Sequence, residues 1–168
     1  DVQTTAQKVK DIFPTLDSII HLAALYDPSR VDQIDITKTR QLVDVNMMGT
    51  FNIVHVVLPI LETQGFGQIA LCGSVAGYRG LPNGQPYSAT KAAIINLAET
   101  LSLEHPNLDV KLINPGFVRT PLTDKNDFAM PMMIEPEQAA VAIADGLTRR
   151  GFEIHFPKAL TRAIKLLR

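Results

Sequence analysis

The sequence predicts an α/β fold, a parallel sheet covered by helices on both faces. Three observations carry that prediction. Four short apolar runs read as strands, longer segments of helical periodicity lie between them, and the two kinds alternate along the chain. That alternation is the pattern of parallel strands joined by crossover helices. Right-handed crossovers then set successive strands side by side. No internal repeat or low-complexity stretch interrupts the pattern, so 1–168 reads as a single domain.

The strands are "LDSIIHLAA" (16–24), "QIALCGS" (68–74), "DVKLINPG" (109–116) and "FEIHFP" (152–157). The first three run into small residues or Pro-Gly, as strands leading into loops do. Their cores are near-continuously apolar rather than alternating, which suits burial on both faces. A helix over 37–62 carries Leu42, Val45, Phe51, Ile53, Val54, Val57, Leu58 and Leu61 at helical spacing, with Thr37 as a candidate N-cap. A second helix, 88–104, follows Pro86, and a third, 136–148, opens on Pro136. Proline suits the first turn of each helix. "DVQTTAQKVK" at the start and "TRAIKLLR" at the end are further helical patterns without stop signals, so both ends read as cut from something longer.

Composition excludes several function classes. The chain is 46% hydrophobic and 20% charged, with a formal net charge of −1. Its Lys and Arg are scattered, so no nucleic-acid partner is expected. The single cysteine, Cys72, forms no internal disulfide and fits a reducing, cytoplasmic setting. Its place in "QIALCGS" points to core packing rather than reactivity. "NIVHVVLPIL" is only ten residues long and holds a histidine and a proline, so no bilayer span is expected. No signal-peptide pattern opens the chain. The basic tail 158–168 sets Lys158, Arg162, Lys165 and Arg168 beside Leu160, Ile164 and Leu167. It reads as an amphipathic surface helix rather than a membrane contact. No metal site is expected.

In such sheets ligands bind in the crevice beyond the carboxyl ends of the strands. That rule selects "HLAA", "GSVAG" and "NPGFVRT" as loops opening on one edge. Beside them, Tyr87 and Lys91 lie four residues apart and share a helix face. Free tyrosine has a pKa of about 10. A lysine charge roughly 5 Å away, at an effective dielectric of about 20, is worth about 3 kcal/mol. That would lower the phenol by roughly two units, toward useful acid–base work. A lone Y-x-x-x-K is nevertheless weak, and a solvated helix start would look the same.

The neighbours decide. Ser74 ends a strand, and Gly73, Ala76 and Gly77 leave room for a ligand beside its hydroxyl, where a plain turn former is the alternative. Asn46 sits in an otherwise apolar helix and must find partners, as a helix-kinking amide or a polar relay. Pro115-Gly116 alone is an ordinary turn; Thr120 follows it closely.

Asn46, Ser74, Tyr87 and Lys91, with "NPGFVRT" behind them, resemble the short-chain dehydrogenase/reductase family across essentially the whole chain. The resemblance implies a Rossmann-type sheet holding family strands 4-5-6-7, with NAD or NADP as cofactor. It implies hydride transfer between nicotinamide and a small alcohol or ketone. Tyr87 would exchange a proton with the substrate oxygen, and Ser74 would hold that oxygen. Lys91 would lower the tyrosine pKa and bind the nicotinamide ribose, and Asn46 would connect a water chain to Lys91. Pro115 and Gly116 would lead into the Val118 backbone and Thr120 hydroxyl that hold the carboxamide. Asp1, followed by Val2, looks like the family's adenine-contacting Asp-Val pair. His21 and Ala23 occupy the family's N-N-A-G turn near the adenosine ribose.

One departure from the family pattern matters most. The phosphate loop T-G-x-x-x-G-x-G is absent from these residues. Further residues upstream are therefore expected, and these 168 alone are expected neither to bind NAD(P) at micromolar levels nor to turn over. Two other functions compete: a non-catalytic scaffold or regulatory subunit, and a non-redox epimerase or dehydratase using the same tyrosine and lysine. The complete four-residue set favours the oxidoreductase, while the absent loop favours the scaffold.

Helices 37–62 and 88–104 are more apolar than one-sided packing requires. The resemblance implies that they pair two copies into a homodimer or homotetramer. Segment 124–137 stands where the family places a mobile substrate lid, and Phe128, Met130, Met132 and Met133 would give it an adaptable apolar face. A loop clamped onto the core is the plainer alternative.

Overall fold

A computed structural model describes residues 2–167. Four strands, β1 (Ser18–His21), β2 (Gln68–Cys72), β3 (Asp109–Pro115) and β4 (Glu153–Phe156), form one sheet in the order β1-β2-β3-β4. All three pairings are parallel. Each strand is shorter than its apolar run. β1 pairs with β2 only as far as His21↔Leu71, which leaves Leu22, Ala23 and Ala24 to the loop beyond. β1 stands at one edge, where the 4-5-6-7 order puts it.

Helices cover both faces. Along β2 and β3, Ile69, Leu71, Val110 and Leu112 pack with Val54, Val57, Leu61, Ile94, Ala98 and Leu101 of α3 (Gly49–Gln64) and α4 (Tyr87–Glu104). The alternate residues Ala70 and Ile113 face Ala139 of α5 (Pro136–Thr148), together with Ile154 and Phe156. Continuous apolar strands are what two covered faces require. At the β1 edge the second layer stops short, and Ile20, Leu22 and Leu25 stay exposed. α1 (Val2–Ile12) lies against α3, and α6 (Lys158–Leu166) follows β4.

The long helix differs from the expected 37–62 in three ways. Asp35, not Thr37, is its N-cap, and its carboxylate accepts from the Thr37 and Lys38 amides at 2.7 and 3.2 Å. Its middle is not α-helical. Between α2 (Ile36–Leu42) and α3, residues Val43–Met48 form a π-helical turn. Finally, taken whole, Ile36–Gln64 is long and apolar enough, by length and composition, to cross a bilayer. The reading of ten apolar residues underestimated it. In this fold the stripe Leu42, Asn46, Thr50, Val54, Val57 and Leu61 is buried, while Met48 and Phe51 face outward. The helix stops at Gly65, whose φ of 77° suits a residue without a side chain.

Candidate active site

Three loops leave the carboxyl edge of the sheet, after β1, β2 and β3, and α4 begins beside them at Tyr87. Ser74 follows β2 in extended conformation, and its Oγ accepts from the Ala76 amide at 3.1 Å, capping a 3₁₀ turn at Val75–Gly77. That turn rests directly on α4. A Cβ on Gly77 would lie 2.8 Å from the Lys91 carbonyl carbon and 2.9 Å from the Ala92 nitrogen. A Cβ on Gly73 would fall 2.2 Å from Asn114 Oδ1. The room expected beside these glycines is therefore filled by α4 and by Asn114, not kept for a ligand. Their smallness instead lets Ser74 approach Tyr87 and Lys91.

Lys91 is 2% exposed, and its Nζ donates to the Cys72 carbonyl at 2.8 Å. Burial pulls its pKa below the ordinary lysine value. The same nitrogen stands 5.6 Å from the centroid of the Tyr87 ring. Burial drives the Tyr87 phenol well above its free value, the nearby Cys72 thiol adds to this, and the Ser74 hydroxyl pulls the other way. The lowered tyrosine expected from the Y-x-x-x-K spacing is thus not found. Desolvation outweighs a lysine whose ammonium is given to a backbone carbonyl. Burial likewise pushes the Cys72 thiol up, as befits packing rather than reactivity.

His21 ends β1 one register step before Cys72 and shares its sheet face with Ile19, toward α3 and α4. Its Nε2 is buried with no hydrogen-bond partner. Burial and the Lys91 charge lower its pKa, so the ring is neutral at pH 7. Ala23 is exposed in the loop beyond. Asp1 lies outside the described residues.

Asn46 sits in the π-helical turn, 1% exposed. Its Oδ1 accepts from the Leu25 amide at 2.7 Å, and its Nδ2 donates to the Leu25 carbonyl and to Thr90 Oγ1, both at 3.0 Å. Its own carbonyl accepts from Thr50 Oγ1 at 2.6 Å. The amide therefore ties the β1 loop to α4 one residue before Lys91. π turns recur at functional sites.

Pro115 closes β3, and the Gly116 amide stays on β4 through Phe156 O at 2.7 Å. Val118 bridges to Ile134. Thr123, absent from the expected set, organises this loop: its hydroxyl donates to Val118 O and accepts from the Thr120 amide, at 2.8 and 2.9 Å. The only signal for it in the sequence is weak, a hydroxyl that can bond nearby backbone in a turn. Tyr26 is the other unanticipated residue. Its ring meets Tyr87 edge-on at 4.7 Å, and its hydroxyl donates to Asn126. Lys125 Nζ also donates to Tyr26 O at 3.0 Å, and Phe128 packs edge-on against Phe117. Segment 124–137 is held down at these points, while Phe128 and Met132 remain exposed.

The structure thus brings Ser74, Tyr87, Lys91 and His21 to one edge, with Asn46 behind them and Gly116–Thr120 beside them. A polar ligand fits the buried, unpartnered His21 Nε2 and the half-buried Tyr87. The residues suit the nicotinamide-ribose half of a dinucleotide, whereas no glycine-rich phosphate loop occurs in the sequence. Among the described residues, no group of three or more His, Cys, Asp or Glu could hold a metal ion.

A family model described as short chain dehydrogenase matches residues 1–130. Among curated proteins, an "Uncharacterized oxidoreductase" of Myxococcus xanthus (strain DK1622) is 31% identical over 157 residues, covering 90% of this chain and 62% of its own length. A solved short chain dehydrogenase from Burkholderia cenocepacia J2315 in complex with NADP is 26% identical, with a TM-score of 0.85 over 98% of this chain and 69% of that one. Another from Burkholderia phymatum, in complex with NAD, is 22% identical with a TM-score of 0.87 over the same shares, a likeness of fold alone. The chain spans 62% to 66% of the length of the first curated relatives it matches.

Proposed function

The chain belongs to the short chain dehydrogenase family, and from that premise we propose that it forms the catalytic portion of an NAD(P)-dependent oxidoreductase acting on a small alcohol or ketone. The convergence of Ser74, Tyr87 and Lys91 on the carboxyl edge of the sheet carries this reading. Bound there, NAD(P) supplies the hydride donor or acceptor. Tyr87, protonated at neutral pH, gives its proton to the carbonyl oxygen in reduction and takes it back in oxidation. Ser74 donates a hydrogen bond to that oxygen as charge develops on it. Lys91, fixed by the Cys72 carbonyl, keeps its remaining N–H groups for a ribose hydroxyl and for the phenol. Asn46 holds the β1 loop and α4 in register behind Lys91. His21, Ala23, Pro115, Gly116, Val118 and Thr120 line the edge where the cofactor would lie, and Asp1 belongs to the same proposal.

A homo-oligomer joined through helices 37–62 and 88–104 is part of this reading, supported by the outward Met48, Phe51 and Leu103. So is a cytoplasmic setting, supported by the single thiol. The test is Tyr87→Phe in the complete protein, assayed with NADH and NADPH against a panel of ketones and aldehydes. Loss of turnover in the variant, with turnover in the wild type, is the expected result. Retention of most carbonyl reduction would overturn the mechanism.

A further inference from the structure

We propose that Glu153 is a positioning residue for this site, one carboxylate that locks the Ser74 loop and the Gly116–Thr120 loop against each other. The proposal rests on the oxidoreductase reading only for its catalytic consequence. Glu153 opens β4, and three elements converge on it. Its Oε1 accepts from the Tyr78 hydroxyl and from Asn114 Nδ2, the latter at 2.7 Å; its Oε2 accepts from Lys165 Nζ of α6. Tyr78 is the residue after the 3₁₀ turn that Ser74 caps, and its amide donates back to Val75 O at 3.2 Å. Asn114 immediately precedes Pro115-Gly116. Its Oδ1 occupies the space a Gly73 side chain would need, one residue before Ser74.

The residue after the Ser74 turn and the residue before Pro115-Gly116 therefore share one carboxylate oxygen. A partly buried carboxylate is costly unless donors satisfy its oxygens. Here a phenol, an amide and an ammonium do so, and the Lys165 ammonium also lies 5.1 Å from the centre of the Tyr78 ring. The basic tail thus turns one lysine inward. Glu153 reaches none of the reacting atoms and acts through Tyr78 and Asn114. Displacements well under an ångström at Ser74 or Val118 would matter to hydride and proton transfer.

Hydrogen–deuterium exchange on the complete protein tests this without relying on any activity. In Glu153→Ala, amides at 75–77 and 116–120 should exchange roughly ten- to a hundredfold faster, while Ile69 and Leu112 in the sheet stay protected. Glu153→Gln keeps an acceptor for Tyr78 and Asn114 and should restore most of the protection. If Glu153→Ala does not fold, Tyr78→Phe, which removes only one donor, should loosen 75–77 in the same way. Uniform loss of protection, or wild-type exchange at both loops, overturns the proposal. In steady-state assays Glu153→Ala should lower kcat about tenfold or more with KM little changed, and Glu153→Gln should recover most of it. If the wild type transfers no hydride, the redox reading fails while the exchange data still decide the role of Glu153.

Discussion

Lys91 directs its ammonium at the Cys72 carbonyl, 2.8 Å away, while the Tyr87 ring a helical turn earlier is centred 5.6 Å from the same nitrogen. The charge thus reaches the phenol only at a distance, and burial of the phenol prevails. Deprotonation creates an anion in a poorly solvated place, so the pKa rises. Ultraviolet difference titration of wild type against Tyr87→Phe should show this phenol ionising above the free-tyrosine value of 10.0. The sign follows for catalysis. Carbonyl reduction, which uses the protonated phenol, should hold through neutral pH, while alcohol oxidation should climb as pH rises. A Tyr87 phenolate appearing below the free value would contradict this.

Ser74→Ala should separate two duties of one hydroxyl. As an oxygen-holding donor its loss should cost about ten- to a thousandfold in kcat. As the cap on Ala76 N its loss should cost about 1 kcal/mol of stability. Steady-state kinetics beside a denaturant melt would measure both. Unchanged kcat with lowered stability would leave Ser74 a turn former only.

Asn46→Ala should destabilise the fold by about 1–3 kcal/mol, because it empties a buried amide site and takes one partner each from the part-buried Leu25 amide and carbonyl and from the Thr90 hydroxyl. Urea unfolding should show the shift in midpoint. A neutral effect would mean that water replaces the amide.

Gly73→Ala should be nearly as damaging as a core change, although it adds only a methyl. That carbon would sit 2.2 Å from Asn114 Oδ1, also 3.2 Å from Ile95 Cγ1, and must displace one of them. A loss of about 1–3 kcal/mol is expected. Gly80→Ala, with open space around the position, is the control and should melt like the wild type.

Association should be visible in sedimentation velocity as a dimer or tetramer at micromolar concentration. Phe51→Glu alters an outward residue on α3 and should shift the protein toward monomer. A wild type that sediments cleanly as monomer would exclude the helix-paired assembly.

The sheet was legible because burial on both faces writes strands as unbroken apolar runs, and α5 because Pro136 marks its start; the Glu135–Gln138 capping box there came only with the structure. Ser74, Tyr87 and Lys91 were legible because strand-end and helix-start positions are local properties of the sequence. The lysine's actual acceptor was not. It is a backbone carbonyl brought near by β2, and no side chain advertises it. The same holds for Asn46, whose partner Leu25 offers only its main chain. Glu153 escaped notice because its three donors lie 75, 39 and 12 residues away along the chain. Thr37 passed for a cap because Asp35, two residues earlier, is equally suited by type.

The π turn at Val43–Met48 also sets a length constraint. The inward residues Leu42, Asn46, Thr50, Val54, Val57 and Leu61 advance by four, four, four, three and four. A regular α-helix advances by 3.6 per turn, so this stretch carries about one surplus residue. Deleting one residue of that turn other than Asn46 should close it to a regular α-helix with everything beyond still in phase, because the wide turn already absorbs the surplus. A deletion inside α3, at Ile53 for example, has no surplus to remove and would rotate Val57 and Leu61 by about 100° off the sheet. A one-codon deletion between Val43 and Met48 should therefore be milder than one at Ile53, which misplaces residues it does not alter.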